Sequence, residues 1–158
     1  MIYLRELDKP VVITLVEPEI PPNIGAVSRL CACIGSPLHI VGKIGFDENH
    51  PRRKRAGLDY WDLVEKTYFE DIDVYFEARK DKIWLFSTKV GQGLYEAEFK
   101  KGDYLSFGSE TKGLPKWLIE KYPHRCLRIP MMENIRSLNL ANSAAIAAYE
   151  AVRQVHKL

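Results

Sequence analysis

Val11-Val12-Ile13-Thr14-Leu15-Val16-Glu17-Pro18-Glu19-Ile20-Pro21-Pro22-Asn23-Ile24-Gly25-Ala26-Val27-Ser28-Arg29 passes from a β-branched run, through a proline-stiffened turn, into helical spacing. A short apolar run without alternation is the pattern of a strand buried on both faces, as in a parallel sheet. Pro21 and Pro22 suit the first turn of a helix, where a missing N–H costs nothing. Asn23 is placed to cap that helix, which runs to Ile34 and is ended by Gly35. Taken alone, Asn23 is an ordinary cap and Arg29 an exposed helical charge. Yet Val27, Leu30, Cys31 and Ile34 around Arg29 are apolar, which places its stem near packed surface.

Outward from this unit the same alternation continues. Leu38–Val41, Ile83–Ser87, Asp103–Phe107 and Cys126–Ile129 read as strands. Helical stretches fall at Tyr60–Lys66, Asp71–Arg79 and Pro115–Lys121, and a long helix closes the chain from Asn139 to Val155. Strands alternating with helices predict an α/β domain with a mostly parallel sheet. The 158 residues make one domain, with residues 1–10 as an N-terminal extension. In such sheets ligands bind beyond the carboxyl ends of the strands, so the loops that follow strands carry the functional information.

Composition narrows the classes. With 46% hydrophobic and 28% charged residues the chain is a soluble globular protein, not a disordered one. A net charge of +2 is too small to establish nucleic-acid binding, which depends on local clusters of Lys and Arg. Cys31, Cys33 and Cys126 are an odd set without CxxC spacing, so they read as small buried hydrophobes in a reducing compartment rather than as a disulfide framework or zinc site. The charged start Met1–Asp8 lacks the apolar core of a secretory signal, and no apolar run is long enough to span a bilayer. The expected location is the cytoplasm, with no membrane and no metal.

Two more loops follow strands. Phe107-Gly108-Ser109-Glu110-Thr111-Lys112-Gly113-Leu114-Pro115 has glycines that invite close backbone approach to a ligand. It is not a Walker A loop, because Leu114-Pro115 stands where Lys-Ser or Lys-Thr is required, and no GxGxxG follows a strand. Ile129-Pro130-Met131-Met132-Glu133-Asn134-Ile135-Arg136-Ser137-Leu138-Asn139-Leu140-Ala141-Asn142 gathers Ser and Asn at a helix start, more than capping needs. The helix beyond carries Ala141, Ala144, Ala145, Ala147, Ala148 and Ala151, which permit close contact. His50-Pro51-Arg52-Arg53-Lys54-Arg55 is the one dense basic run.

In order and spacing, these three loops resemble the three motifs of the SPOUT class of RNA methyltransferases. Within it the chain is most similar to the small tRNA wobble-position (cytidine/uridine) 2′-O-ribose methyltransferases. Ala56-Gly57-Leu58-Asp59-Tyr60-Trp61 also resembles a family signature, and the likeness runs from about Val12 to Val155.

The resemblance implies a SPOUT fold: a mostly parallel sheet flanked by helices, with a C-terminal deep trefoil knot. It implies S-adenosyl-L-methionine as cofactor, held by positions matching Phe86, Gly108, Ile129 and Ser137. It implies a homodimer through the motif-bearing helices, with Arg29 reaching an active site at the interface, and tRNA as substrate. The catalytic set it suggests is Arg29, Glu110, Ser137 and Asn139. Arg29 would orient the acceptor and stabilise alkoxide charge, and Glu110 or a substrate phosphate would take the proton. Asn23, Arg52, Arg53 and Arg55 are the expected RNA contacts. Rival readings keep the fold and change the role: 2′-O-methylation of another tRNA position or of rRNA, or RNA binding without catalysis.

Overall fold

The computed structural model describes residues 9–45, 47 and 58–158; the start of the N-terminal extension, the Arg52–Arg55 run and Ala56-Gly57 lie outside the described residues. Six strands form one sheet: β1 (Val11–Val16), β2 (Leu38–Val41), β3 (Lys66–Phe69), β4 (Ile83–Phe86), β5 (Asp103–Phe107) and β6 (Cys126–Leu127). Their order is β3-β2-β1-β5-β4-β6, and every pairing is parallel. The expected parallel sheet is present, with every strand pairing among the described residues parallel. The expected helix Tyr60–Lys66 is a 3₁₀ turn, Leu58–Leu63, followed by the strand β3. With Lys66, Thr67 and Phe69 only half buried and Tyr68 exposed, this edge strand lacks the apolar run that marks the others.

Strand alternation sorts the side chains into two layers. Val11, Ile13 and Leu15 of β1, Trp84 and Phe86 of β4, and Leu105 and Phe107 of β5 face α1 (Pro21–Ile34) and α4 (Leu140–His156). Val16, Val41, Ile83 and Leu85 face α2 (Ile72–Glu77) and α3 (Lys116–Lys121). All six residues of β1 are buried, as a central strand requires. Gly35 ends α1 at φ 66°, a conformation open to glycine, and its N–H bonds the Cys31 carbonyl. Ala144, Ala147, Ala148 and Ala151 are fully buried, so α4 lies close over the sheet. Tyr149 on its other face is 50% exposed, which removes it from the core.

Cys31 and Cys126 are buried free thiols, and burial pushes Cys126 up to about 11. Cys33 is exposed, contrary to the sequence expectation, because it points off the outer side of α1. No helix among the described residues is long and apolar enough to cross a membrane.

On the α2 side, His39 Nδ1 meets Tyr75 Oη at 2.9 Å, and Tyr75 Oη meets Thr14 Oγ1 at 2.8 Å. The Arg79 guanidinium lies 4.1 Å over the Tyr75 ring. Burial, then the Arg79 charge, lowers His39 from its ordinary 6.5 to about 4. The folded ring therefore stays neutral while an unfolded chain takes up a proton. Its contribution to stability is complete above pH 6.5 and is lost as pH falls toward 4. With the half-exposed ring screened by solvent, urea unfolding should show about 1 kcal/mol less stability at pH 5 than at pH 7 from this group. His39→Gln should flatten that part of the profile; an unaltered profile would mean that other groups set it.

Candidate functional site

Strands β2 and β3 lie on one side of β1, while β5, β4 and β6 lie on the other. The order of strand addition thus reverses between β1 and β5, and the crevice at the carboxyl ends of that pair is where an open α/β sheet binds ligands. A cleft of about 650 Å³ opens there, within the range of small-molecule sites.

The loop after β1 forms its first wall. The helix begins at Pro21, not Asn23, because Ile20 is the capping residue and offers no side-chain acceptor. Pro21 and Pro22 have no N–H to satisfy. The donors just before them, the N–H groups of Glu19 and Ile20, instead reach the Glu110 carboxylate from the loop after β5, at 2.9 and 3.0 Å. Asn23 Nδ2 donates to the same carboxylate at 3.2 Å. Thr111 Oγ1 donates its one hydrogen back to the Glu19 carboxylate, lying 2.8 and 2.9 Å from its two oxygens. Glu110 is thereby committed to holding two loops together.

The chain of bonds continues into the third loop. Asn139 Nδ2 donates to Asn23 Oδ1 at 2.9 Å, and Asn139 Oδ1 caps α4 by accepting from Asn142 N–H at 3.2 Å. Asn23 could bond in both directions because an amide carries donor and acceptor together. A carboxylate, an amide bridge and an amide cap thus lock the three loops in series.

The loop after β5 owes its shape to Gly108. A Cβ there would lie 1.9 Å from the Gly113 carbonyl carbon and 2.0 Å from the Leu114 nitrogen. The close approach anticipated from the sequence exists, but the loop's own backbone makes it. Gly113, at φ 69°, returns its N–H to the Ser109 carbonyl at 2.9 Å and closes the turn. Beneath the loop, Phe86 and Phe107 stack at 4.8 Å with an interplanar angle of 13° and give the cleft an aromatic wall.

Of the residues selected from sequence, Asn23, Phe86, Gly108, Glu110, Ile129, Ser137 and Asn139 line this cleft. Ser137 is exposed in its mouth. Arg29 does not line it. It is exposed on α1, with its guanidinium 5.0 Å over the Tyr60 ring. Arg52, Arg53 and Arg55 lie outside the described residues. Sequence reasoning missed Lys89, Lys112 and Arg136 at the cleft. Lys112 and Arg136 sit inside selected loops and Lys89 in the unselected loop after β4, but a single exposed cation has no pattern to distinguish it.

Comparison with known proteins adds to this geometry. The pattern of the SpoU rRNA Methylase family matches residues 10–149. The tRNA (cytidine(34)-2′-O)-methyltransferase of Escherichia coli (strain K12) is 41% identical over 145 residues, covering 90% of this chain and 92% of that protein. The enzyme of the same name from Burkholderia cenocepacia (strain HI2424) is 40% identical over 146 residues, covering 90% and 94%. A solved structure described as giving structural insights into the 2-OH methylation of C/U34 on tRNA superposes with a TM-score of 0.86 at 41% identity, covering 94% of this chain and 97% of that one. The SpoU methyltransferase AviRb from Streptomyces viridochromogenes, in complex with AdoMet, shares the fold with a TM-score of 0.77 at 24% identity, covering 96% of this chain and 60% of that one.

Proposed function

Because the chain belongs to the SpoU rRNA Methylase family, we propose that it methylates the ribose 2′-oxygen of the wobble cytidine or uridine in the tRNA anticodon loop, with S-adenosyl-L-methionine as methyl donor. The observation that carries this reading is the Glu110–Asn23–Asn139 series of hydrogen bonds, which binds three loops into one preformed cleft at the switch point of the sheet. The 41% identity to a wobble methyltransferase over nine-tenths of both chains supports the substrate.

The cleft suits a bent nucleoside joined to an amino acid. Its floor is apolar, with Phe86, Phe107, Ile129 and Leu138, while Ser137 and the loop backbone supply polar groups at its edge. Phe86, Gly108, Ile129 and Ser137 would hold the cofactor. When bound, it supplies an electrophilic methyl group on a sulfonium centre.

The protein's remaining task is to position a ribose hydroxyl and help its proton leave. With both oxygens accepting hydrogen bonds, Glu110 acts here as a fixture of the loops rather than as the base. An arginine stays protonated in proteins, so Arg29 orients the acceptor and stabilises its developing negative charge. The proton passes to a substrate phosphate oxygen or to water. Asn139 and Ser137 complete the acceptor side.

Arg29 stands outside the cleft of its own chain, which supports a role completed by a second copy. The exposed Ile146 and Tyr149, one turn apart on α4, support a homodimer built on α1 and α4. The single-domain organisation over 1–158, the threaded C-terminal crossing and a cytoplasmic location belong to the same reading.

The test is incubation with methyl-labelled S-adenosylmethionine and unmodified tRNA, with the label mapped by nuclease digestion and mass spectrometry. Label on the wobble ribose is expected; label on another ribose would replace the substrate, and a folded protein that fails to bind the cofactor would end the methyltransferase reading. Replacing Arg52, Arg53 and Arg55 by Ala should weaken tRNA binding and make the plot of log affinity against log salt shallower by roughly 2. An unchanged slope would remove that run from the RNA interface.

A further inference from the structure

The described cations sit in several environments, of which three matter here. Lys9, Lys80, Lys116, Lys121 and Arg153 each pair with a carboxylate. Arg79 and Arg125 lie against aromatic rings. Lys89, Lys112 and Arg136 have no ion pair among the described residues, and all three line the cleft.

They come from different loops, those following β4, β5 and β6, and each is exposed. Among the described residues the one acidic side chain lining the cleft is Glu110, whose carboxylate is engaged by three donors from the loop after β1 and the start of α1. The cleft therefore carries three cations against one carboxylate, an excess of positive charge around an apolar floor. A concave site lined by one sign of charge concentrates the opposite sign at its mouth.

We propose that Lys112 and Arg136, assisted by Lys89, form a clamp for an RNA phosphate, the one on the 3′ side of the ribose that accepts the methyl group. This rests on the function proposed above. The charge lies on the solvent rim rather than on the floor, where a polyanion approaches first. In RNA the 2′-oxygen and the 3′-phosphate are carried by adjacent ribose carbons. Fixing that phosphate therefore confines the acceptor oxygen to a short arc over the cleft. Arg136 offers a planar fork for two phosphate oxygens, and the lysines offer point charges. The N–H of Lys112 donates to Ser109 Oγ at 3.2 Å, so the closed turn of the β5 loop holds its backbone in place.

The test uses the 158-residue chain with Lys112→Gln, Arg136→Gln and the triple variant that adds Lys89→Gln, measuring tRNA KM, salt dependence and S-adenosylmethionine Kd. Each substitution should raise the tRNA KM about tenfold and make the salt slope shallower by roughly 0.7, with the cofactor Kd unchanged. Arg136→Lys should restore the slope without restoring the full KM, since it keeps the charge and loses the fork. A weakened cofactor Kd with the tRNA slope intact would overturn the proposal by assigning the cations to the carboxylate of the cofactor. Wild-type protein that methylates tRNA beside variants with unchanged KM and slope would overturn the clamp alone. Wild-type protein that leaves tRNA unmethylated would overturn the function and the clamp together.

Discussion

Gly108→Ala should abolish measurable cofactor binding, weakening it at least a hundredfold, and should lower stability by about 3 kcal/mol. The added Cβ would stand 1.9 Å from the Gly113 carbonyl carbon and 2.4 Å from its oxygen. These are backbone atoms, so no side-chain rotation relieves the overlap. The loop must open between Ser109 and Gly113, breaking the bond from Gly113 N–H to the Ser109 carbonyl. Glu110 sits inside that turn. Its displacement releases the N–H groups of Glu19 and Ile20 together with Asn23, and the wall made by the first loop loses its tie to the second. Gly91→Ala is the matched control, because a Cβ at Gly91 meets nothing within 4 Å. It should leave stability within about 0.5 kcal/mol of wild type. Calorimetric titration with S-adenosylmethionine and a thermal melt on both variants decide the matter. If Gly108→Ala binds and melts like wild type, the turn is pliable and the account of a preformed cleft is wrong.

This turn also shows what could be read from the sequence and what could not. Two glycines after a strand signalled a close approach, but the partner in that approach is the loop itself, and only the three-dimensional path reveals it. The strands buried on both faces declared themselves through continuous apolar runs such as Val11–Val16. The edge strand β3 did not, because Lys66-Thr67-Tyr68-Phe69 is polar at its start and exposed at Tyr68. Asn23 read as a helix cap because Asn favours that position. In the fold Ile20 takes the cap position, the two prolines remove the need for side-chain acceptors, and the amide is left to bridge Glu110 and Asn139. Asn139, by contrast, caps α4 and also joins that bridge, so the surplus of polar residues at its helix start was a usable signal. Lys89, Lys112 and Arg136 gave none, since their significance lies in where three loops bring them, at the cleft.

Arg29→Ala should reduce turnover by about a thousandfold while leaving the Kd for S-adenosylmethionine unchanged, because the residue stands outside the cleft and its proposed interaction is made with charge that develops during the reaction. The fold should lose no more than about 1 kcal/mol, the worth of an exposed guanidinium over the Tyr60 ring. Arg29→Lys should recover little, since a single ammonium does not reproduce a planar fork. Arg29 lies six positions along α1 from Asn23, or about 9 Å of helix rise from the residue that bridges the loops. An arginine so placed reaches a cleft either through a second copy or through movement of α1. Co-expression of Arg29→Ala with Asn139→Ala separates the two arrangements. If each arginine completes the partner's cleft, every mixed dimer holds one site with both Arg29 and Asn139 intact. An evenly mixed population then retains about a quarter of wild-type turnover, although each variant alone is inactive. If each arginine folds back to its own cleft, every site in the mixed dimer lacks one of the two residues and no activity returns. The second outcome would require α1 to shift on binding RNA and would remove the dimer from the mechanism; the first would make the interface part of the active site.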